Sequence, residues 1–322
     1  MLRRHLLLAT APAAALLAGA PRARAEQLFP SLNMFIPAGP GGGWDGLGRA
    51  FENVARQAGL VGSFQFENVG GAGGMVGLPR FISQRRGKPD ALMVGGSVMV
   101  GAALTNKAPY SLKDVTPVAR MTAEDAVIVV PGESPIQTIA QFIEALKADP
   151  RGMPVAGGSA GGTDHIVLGL MLKALGRSAR DANFVAFAGG GPAQAAILGN
   201  QVKAGISGYS EFAEQVKAGR MRALATSGDK RAIEGLPTLK ESGLDVSATN
   251  WRGFFGPPGI RPEARAALTR LVTEVHALPA WTELLATRGW DDAFLTGAEF
   301  ETFLRNDNSA TDGVLRELGL VT

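Results

Sequence analysis

Short apolar runs alternate along this chain with stretches whose apolar residues recur every three to four positions, the signature of an α/β protein with largely parallel sheets. Leu32 to Pro37 reads as a first strand. After a glycine-rich turn, Leu47, Ala50, Phe51, Val54, Ala55 and Ala58 fall on one helix face. Phe64 to Val69 predicts the next strand, Gly77 to Gln84 a helix, and Ala91 to Gly95 a third strand. A second set opens at Ala126 to Val130. Ser134-Pro135-Ile136-Gln137 then reads as an N-cap, a first-turn proline and a capping box, opening a helix that buries Ile136, Ile139, Ala140, Ile143 and Leu146. Met153 to Ala156 is strand-like, and Leu168, Met171, Leu172 and Leu175 form a helical stripe ended by Gly176. Further strands are predicted at Asn183 to Phe187, Val202 to Ile206 and Arg222 to Thr226, with helices from Pro192 and over Glu211 to Lys217. Beyond residue 228 the pattern loosens to one strand, Trp251 to Phe255, and helices at Pro262 to His276, Ala280 to Arg288 and Ala298 to Asn306.

No compositional linker divides the chain. A two-domain reading therefore has the chain cross between lobes twice through strands: residues 26–122 and 228–322 build the first lobe, and 123–227 the second. The 297 residues left after a leader suit about two domains.

That leader is residues 1–25. Arg3 and Arg4 precede an apolar stretch from Leu6 to Ala20, and Ala23-Arg24-Ala25 offers small residues at a cleavage site, so the segment reads as a secretory signal peptide rather than a buried helix. Arg3-Arg4 leaves general and twin-arginine export both open. Cleavage would remove four arginines and no acids, taking the 32 basic and 29 acidic residues to a formal charge of −1. With aromatics at 7% and no Lys/Arg block, no footprint for nucleic acid remains. The sequence has no cysteine, which excludes disulfides, thiolate metal sites and cysteine nucleophiles. Past residue 25 only His165 and His276 remain, far apart in sequence, so neither a metal nor a cofactor is expected.

Chemistry concentrates in glycine turns at the C-terminal ends of predicted strands: Gly39 to Asp45, Gly70 to Gly74, Gly157 to Thr163 and, more weakly, Gly189 to Gly191. Glycine lets backbone N–H groups approach a ligand, and a helix N-terminus adds partial positive charge, so such turns make anion sites. None is followed by Lys-Ser or Lys-Thr, which excludes a P-loop, and the dinucleotide spacing that starts at Gly71 meets Val76 where glycine or alanine is needed. The expected ligand contacts are Gly42, Gly43, Trp44, Asp45, Gly73, Gly74, Ser97, Ser159, Ala160, Gly161, Gly162, Thr163, His165, Gly190 and Ser207. Ser159 and Thr163 would donate hydroxyl bonds to a carboxylate and His165 a third. Thr163 and Asp45 have competing readings as helix caps, and Trp44 and Trp251 are candidate cleft walls. A triad of Ser159, Asp164 and His165 is unattractive, because Asp164 and His165 are neighbours on a helix start and point apart. No catalytic residue is expected.

Pro37 to Asp45, Glu67 to Gly74 and Gly157 to His165, in that order, resemble the substrate-binding proteins of tripartite tricarboxylate transporters, the Bug-type receptors. Leu104-Thr105-Asn106-Lys107, Ser207 to Phe212, Pro237-Thr238-Leu239 and Asn250 to Gly253 extend the likeness over nearly the whole chain past the leader. The resemblance implies a type II periplasmic-binding-protein fold, two α/β lobes joined by a two-strand hinge, closing on one organic anion. It also implies delivery to membrane permease subunits, with carboxylate contacts in the loops Gly41 to Asp45 and Ser159 to Thr163. Arg252 and Lys107 are candidates to pair with a second carboxylate. The expected product is a periplasmic, monomeric receptor for a di- or tricarboxylate. A sensory receptor acting on a kinase, and an esterase or dehydrogenase on a similar scaffold, are the alternatives.

Overall fold

The computed structural model describes residues 26–322, and the expected leader lies outside the described residues. The first lobe starts with β1 (Phe29–Ile36), α1 (Gly43–Gln57), β2 (Val61–Asn68), α2 (Gly77–Arg85), β3 (Ala91–Gly96) and α3 (Ser97–Thr105). A long strand, β4 (Thr116–Pro131), then leaves this lobe and enters the second, which holds α4 (Ile139–Ala148), β5 (Val155–Gly157), α5 (Thr163–Ala174), β6 (Phe184–Ala186), α6 (Gly190–Leu198), β7 (Ala204–Gly208), α7 (Tyr209–Lys217) and β8 (Met221–Thr226). The chain returns through β9 (Thr249–Gly256) and finishes with α8 (Pro262–His276), α9 (Pro279–Arg288), β10 (Asp291–Thr296) and α10 (Gly297–Glu317).

The first sheet runs β2-β1-β3-β9-β4, with β10 also on β4; the second runs β6-β5-β7-β4, with β8 on β4's other side. β1, β2 and β3 are mutually parallel, as are β5, β6 and β7, while β4 and β9 run antiparallel to each other. β4 serves both sheets by changing partners midway: Thr116 to Asp125 pair with β9, and Ala126 to Val129 pair with β7. Its second half, Ala126 to Val130, is fully apolar and buried because it is central, covered on both faces.

Each lobe has its own core. In the first, α1 lays Leu47, Phe51, Val54 and Ala55 on the sheet, and the Phe51 ring meets Phe254 of β9 at 4.7 Å between centroids. The second lobe buries Phe142, Leu146, Leu168, Met171 and Leu172 around Ile128 and Ile206.

Several expectations are corrected here. Residues 228–248, expected in the first lobe, insert Leu239, Leu244 and Val246 into the second lobe's core; the return falls at Ala248–Asn250, where Ser227 bonds Ala126 and Ala248. Ser134 caps only a turn, accepting from Ile136 N–H. The helix begins at Ile139, with the Thr138 hydroxyl accepting from Gln141 N–H. The last helix, expected to stop at Asn306, runs to Glu317, since Leu315 and Leu318 resume the apolar face after a polar stretch. Its end reaches the second lobe, where Leu318 lies against Gly169 and Arg180 donates to the Gly319 carbonyl at 3.1 Å. Sequence patterning missed α3 and β10 altogether. Among the described residues no helix is long and apolar enough to cross a membrane.

Candidate functional site

The C-terminal ends of the parallel strands in both lobes meet across one cleft, the place where open α/β sheets bind ligands. The lobes touch: Gly39 N–H donates to the Ala188 carbonyl at 3.0 Å, Thr105 Oγ1 to the Ala160 carbonyl at 3.3 Å, and Ser97 Oγ shares a hydrogen bond with Thr163 Oγ1 at 3.0 Å. On the side of α3 facing the second lobe, Gly101 lies so close to Gly161 that a Cβ there would come within 3.0 Å of the Gly161 carbonyl carbon. Between the lobes is a cavity of about 50 Å³, room for a few waters or a small polar group in this closed form.

Of the expected contacts, Gly42, Gly43, Trp44, Gly73, Gly74, Gly190 and Ser207 line this cavity. Gly73 and Gly74 take left-handed backbone, φ 61° and 92°, which turns the chain after β2 sharply enough to present this loop. The α1 and α6 N-termini open on the wall through Gly43 and Gly190, and α3 opens beside it through Val98.

Other expected contacts have different partners. Ser97 donates to Asn250 Oδ1 at 2.6 Å while bonding Thr163, so these two hydroxyls tie both lobes to β9. Ser159 is buried, with its hydroxyl beside Gly73; with Ala160 it borders a neighbouring depression. Gly161 N–H donates to His165 Nδ1 at 3.1 Å, and the His165 ring stacks on Phe184 at 4.5 Å. Burial pushes this imidazole down to about 4, so it is neutral and its Nδ1 is occupied. Gly162 N–H donates within its own loop to the Ser159 carbonyl.

Asp45 is not the helix cap; Gly42 holds that position. The buried Asp45 carboxylate accepts from Gly41 N–H at 3.1 Å, Arg49 Nε at 3.0 Å and Asn68 Nδ2 at 3.0 Å, fixing the loop before α1. Burial alone would raise it, but these donors hold it below the usual carboxylate range. Trp251 packs into the first core against Phe300 and Phe303 rather than walling the cleft. Lys107 is exposed past the end of α3, and Arg252 is not free to meet a carboxylate unaccompanied.

Arg252 is 1% exposed on β9 and forms ion pairs with Glu124 of β4, itself 2% exposed, and with Glu211 of α7 at 3.3 Å. Ser210 donates to Glu124 at 2.8 Å, Trp290 Nε1 donates to Ser210, and Ser207 donates to Glu211 Oε1 at 3.1 Å. Asp164, in the first turn of α5, accepts from Gly158 N–H at 2.7 Å. Asp164, Glu211, Asn250 and Arg252 all line the cavity. Arg252 and the two glutamates it pairs with each sit against a glycine. A Cβ on Gly43 would come within 2.7 Å of Arg252 Nε, one on Gly190 within 2.8 Å of Glu211 Cδ, and one on Gly208 within 2.9 Å of Glu124 Oε2.

Burial pushes Glu211 up to about 7 even though Arg252 opposes it, and Asp164 to about 6 against the pull of Gly158 N–H and Arg252. Unfolded, Glu211 has lost its proton above its ordinary 4.5, whereas folded it keeps it until about 7. Across that interval the folded state holds the extra proton, so this group's contribution to stability falls as pH rises. Asp125 and Asp164 act in the same direction and His165 in the opposite one, so a difference measurement isolates Glu211. The unfolding free energy of the wild type minus that of Glu211→Gln is expected to fall by on the order of 2 kcal/mol between pH 4.5 and 7.5. A flat difference in urea titrations would remove the proton from Glu211.

Two α/β lobes sharing strands and closed over a cleft at their strand ends define the periplasmic-binding-protein fold. The solved periplasmic binding protein BugD superposes with a TM-score of 0.82 at 20% identity, over 90% of this chain and 98% of that one. MatC of Rhodopseudomonas palustris, solved with bound malate, gives 0.76 at 22% identity, over 88% and 98%. The model of the tripartite tricarboxylate transporter family receptor matches residues 50–320, and the chain belongs to that family. Among its relatives, Protein BugT of Bordetella pertussis is 26% identical over 294 residues, 89% of each chain.

Sequence reasoning missed Asp164 as a wall residue, and Glu124 and Glu211 entirely. An acid in the first turn of a helix is common for its dipole alone, so Asp164 and Glu211 carried no distinct signal. Glu124-Asp125 inside a strand-like run did: a buried strand carboxylate requires a cation, and Arg252 was the cation to seek.

Proposed function

We propose that this chain is a periplasmic solute-binding protein that captures a small organic carboxylate between its lobes and delivers it to the membrane permease of a tripartite transporter. One observation carries the reading: glycine loops at the strand ends of both lobes, with the α1 and α6 N-termini, converge on a single cavity. Such backbone N–H groups suit a carboxylate without supplying any group for turnover. In this reading residues 1–25 direct export, the mature chain is a monomer, and a carboxylate of the ligand is held partly by Gly42, Gly43, Gly73 and Gly74. The lobes open about the two crossings that join them, in β4 and at the start of β9, to admit it, and ligand shifts the population back by its extra affinity for the closed form.

The test is a thermal melt of residues 26–322, unfolded and refolded to strip carried-over ligand, against a panel of organic acids. A true ligand at about 100 times its Kd adds roughly 2.7 kcal/mol and raises the midpoint by several degrees. A folded, ligand-free protein that shifts with no acid would overturn the reading, and loss of uptake on gene deletion would support the transport assignment.

A further inference from the structure

The charge on the cavity wall does not suit a simple polycarboxylate. Asp164 and Glu211 face the cavity and Glu124 stands directly behind, against a single cation, Arg252; among the described residues that line the cavity no other base is present. Arg252 is already committed to two of these acids. Of the helices that open on the cavity, α5 and α7 put a first-turn acid on its wall, Asp164 and Glu211, whereas α3 and α6 carry none and the Asp45 of α1 is turned away to Arg49, Gly41 and Asn68. A second or third ligand carboxylate on this side would have only the unpartnered Nε and Nη1 of the one Arg252 guanidinium to set against three acids.

One acid also has an open valence. The Glu211 side chain is 7% exposed, its Oε1 takes Ser207 and Arg252, and its Oε2 meets no hydrogen-bond partner among the described residues. That oxygen points between the lobes: a Cβ on Gly42 of the first lobe would stand 3.7 Å from it, and Gly190 of the second lobe lies against it. A buried carboxylate oxygen left without a donor is costly unless a donor arrives. Ammonium and amidinium groups are the donors that also neutralise the excess charge.

We infer that the ligand of this cleft carries a protonated nitrogen as well as a carboxylate, as an amino acid does, the nitrogen being held by Glu211 Oε2 with Asp164 nearby and the carboxylate by the glycine loops of the first lobe. This rests on the carboxylate-receptor reading and sharpens it. Nitrogen binding would fix Glu211 in its ionised form. Glu211 keeps part of its proton near pH 7 when the cleft is empty, so capture of the ammonium group expels protons to solvent. Capture of a plain dicarboxylate beside Glu124, Asp164, Glu211 and Arg252 would draw protons in.

The experiment is calorimetry on stripped wild-type protein with matched acids that differ by one amino group: propionate and alanine, succinate and aspartate, glutarate and glutamate, adipate and 2-aminoadipate, 4-methylbenzoate and 4-(aminomethyl)benzoate. Expected are at least tenfold tighter binding of the amino member of the pair that binds, net proton release at pH 7 read from buffers of different ionisation enthalpy, and loss of the preference in Glu211→Gln. Equal or tighter binding of the amine-free member, or proton uptake by the wild type with the amino member, overturns this inference and leaves the receptor reading intact. Binding of none of the ten overturns this inference, and the receptor reading falls with it only if the wider panel of acids gives no thermal shift either. The proton count uses wild-type protein alone, so it decides even if Glu211→Gln fails to fold.

Discussion

Arg252→Ala is expected to cost about 3–5 kcal/mol of stability, the loss seen when one partner of a buried ion cluster is removed. The two glutamates it pairs with cannot reach solvent: Glu124 is 2% exposed and Glu211 sits at the closed cleft. Without the guanidinium they must either stay charged in a medium of low polarity or take up protons. The deficit should therefore be smaller at pH 5 than at pH 7.5, and Arg252→Met combined with Glu124→Gln should recover much of it, since apolar or neutral replacements of similar volume remove the stranded charge. Urea denaturation of the single and double variants at both pH values is the measurement. A loss below about 1 kcal/mol at pH 7.5 would mean that the cluster is not paired as described.

Gly101→Ala should act on closure and not on folding. Alanine in a helix interior is favoured over glycine by roughly 0.5–1 kcal/mol, so the ligand-free protein is expected to unfold no earlier than wild type. In the closed form the new methyl meets the Gly161 carbonyl, a backbone group that cannot rotate away. Forcing a methyl into a packed contact costs about 1–3 kcal/mol, and here that penalty falls only where α3 and the loop before α5 touch. Since the ligand draws its affinity from the closed population, binding should weaken by up to roughly 100-fold. Isothermal titration gives the affinity and small-angle scattering the degree of closure. Wild-type affinity with unchanged compaction would show that Gly101 and Gly161 are not in contact in the bound state.

The parts of the fold that could be read from sequence are those in which one physical cause dominates. The α1 stripe, Leu47 to Ala58, is a single amphipathic period, and β3 is a short, wholly apolar strand because neighbours and helices cover it on all sides. β4 was legible only over Ala126 to Val130. Its first half, Thr116 to Asp125, mixes Arg120, Glu124 and Asp125 into the strand because partners from distant sequence neutralise or cover them. α3 lacks any polar face, and β10 opens with Asp291-Asp292, so neither shows the periodicity that announces an element. At the site, the glycine loops were visible because turns of that kind have few other uses. The acids were not visible: Asp164 and Glu211 have the same local pattern as ordinary helix starts, and only the meeting of four segments around Arg252 gives them a different role. Asp45 shows the reverse. Its position before a helix suggested a cap, yet the donors that claim it are Arg49 one turn later and Asn68 at the end of β2.

The glycines at 43, 190 and 208 leave a record in descent. Each lies against one charged head, Arg252, Glu211 or Glu124, and those heads hold one another so that none can swing aside. A lineage cannot acquire a side chain at one of these glycines while the opposing charge is kept. The charge must go first and the glycine afterwards, so relatives with a glycine and no charge opposite it should exist as intermediates, and relatives with both a side chain and its charge should not.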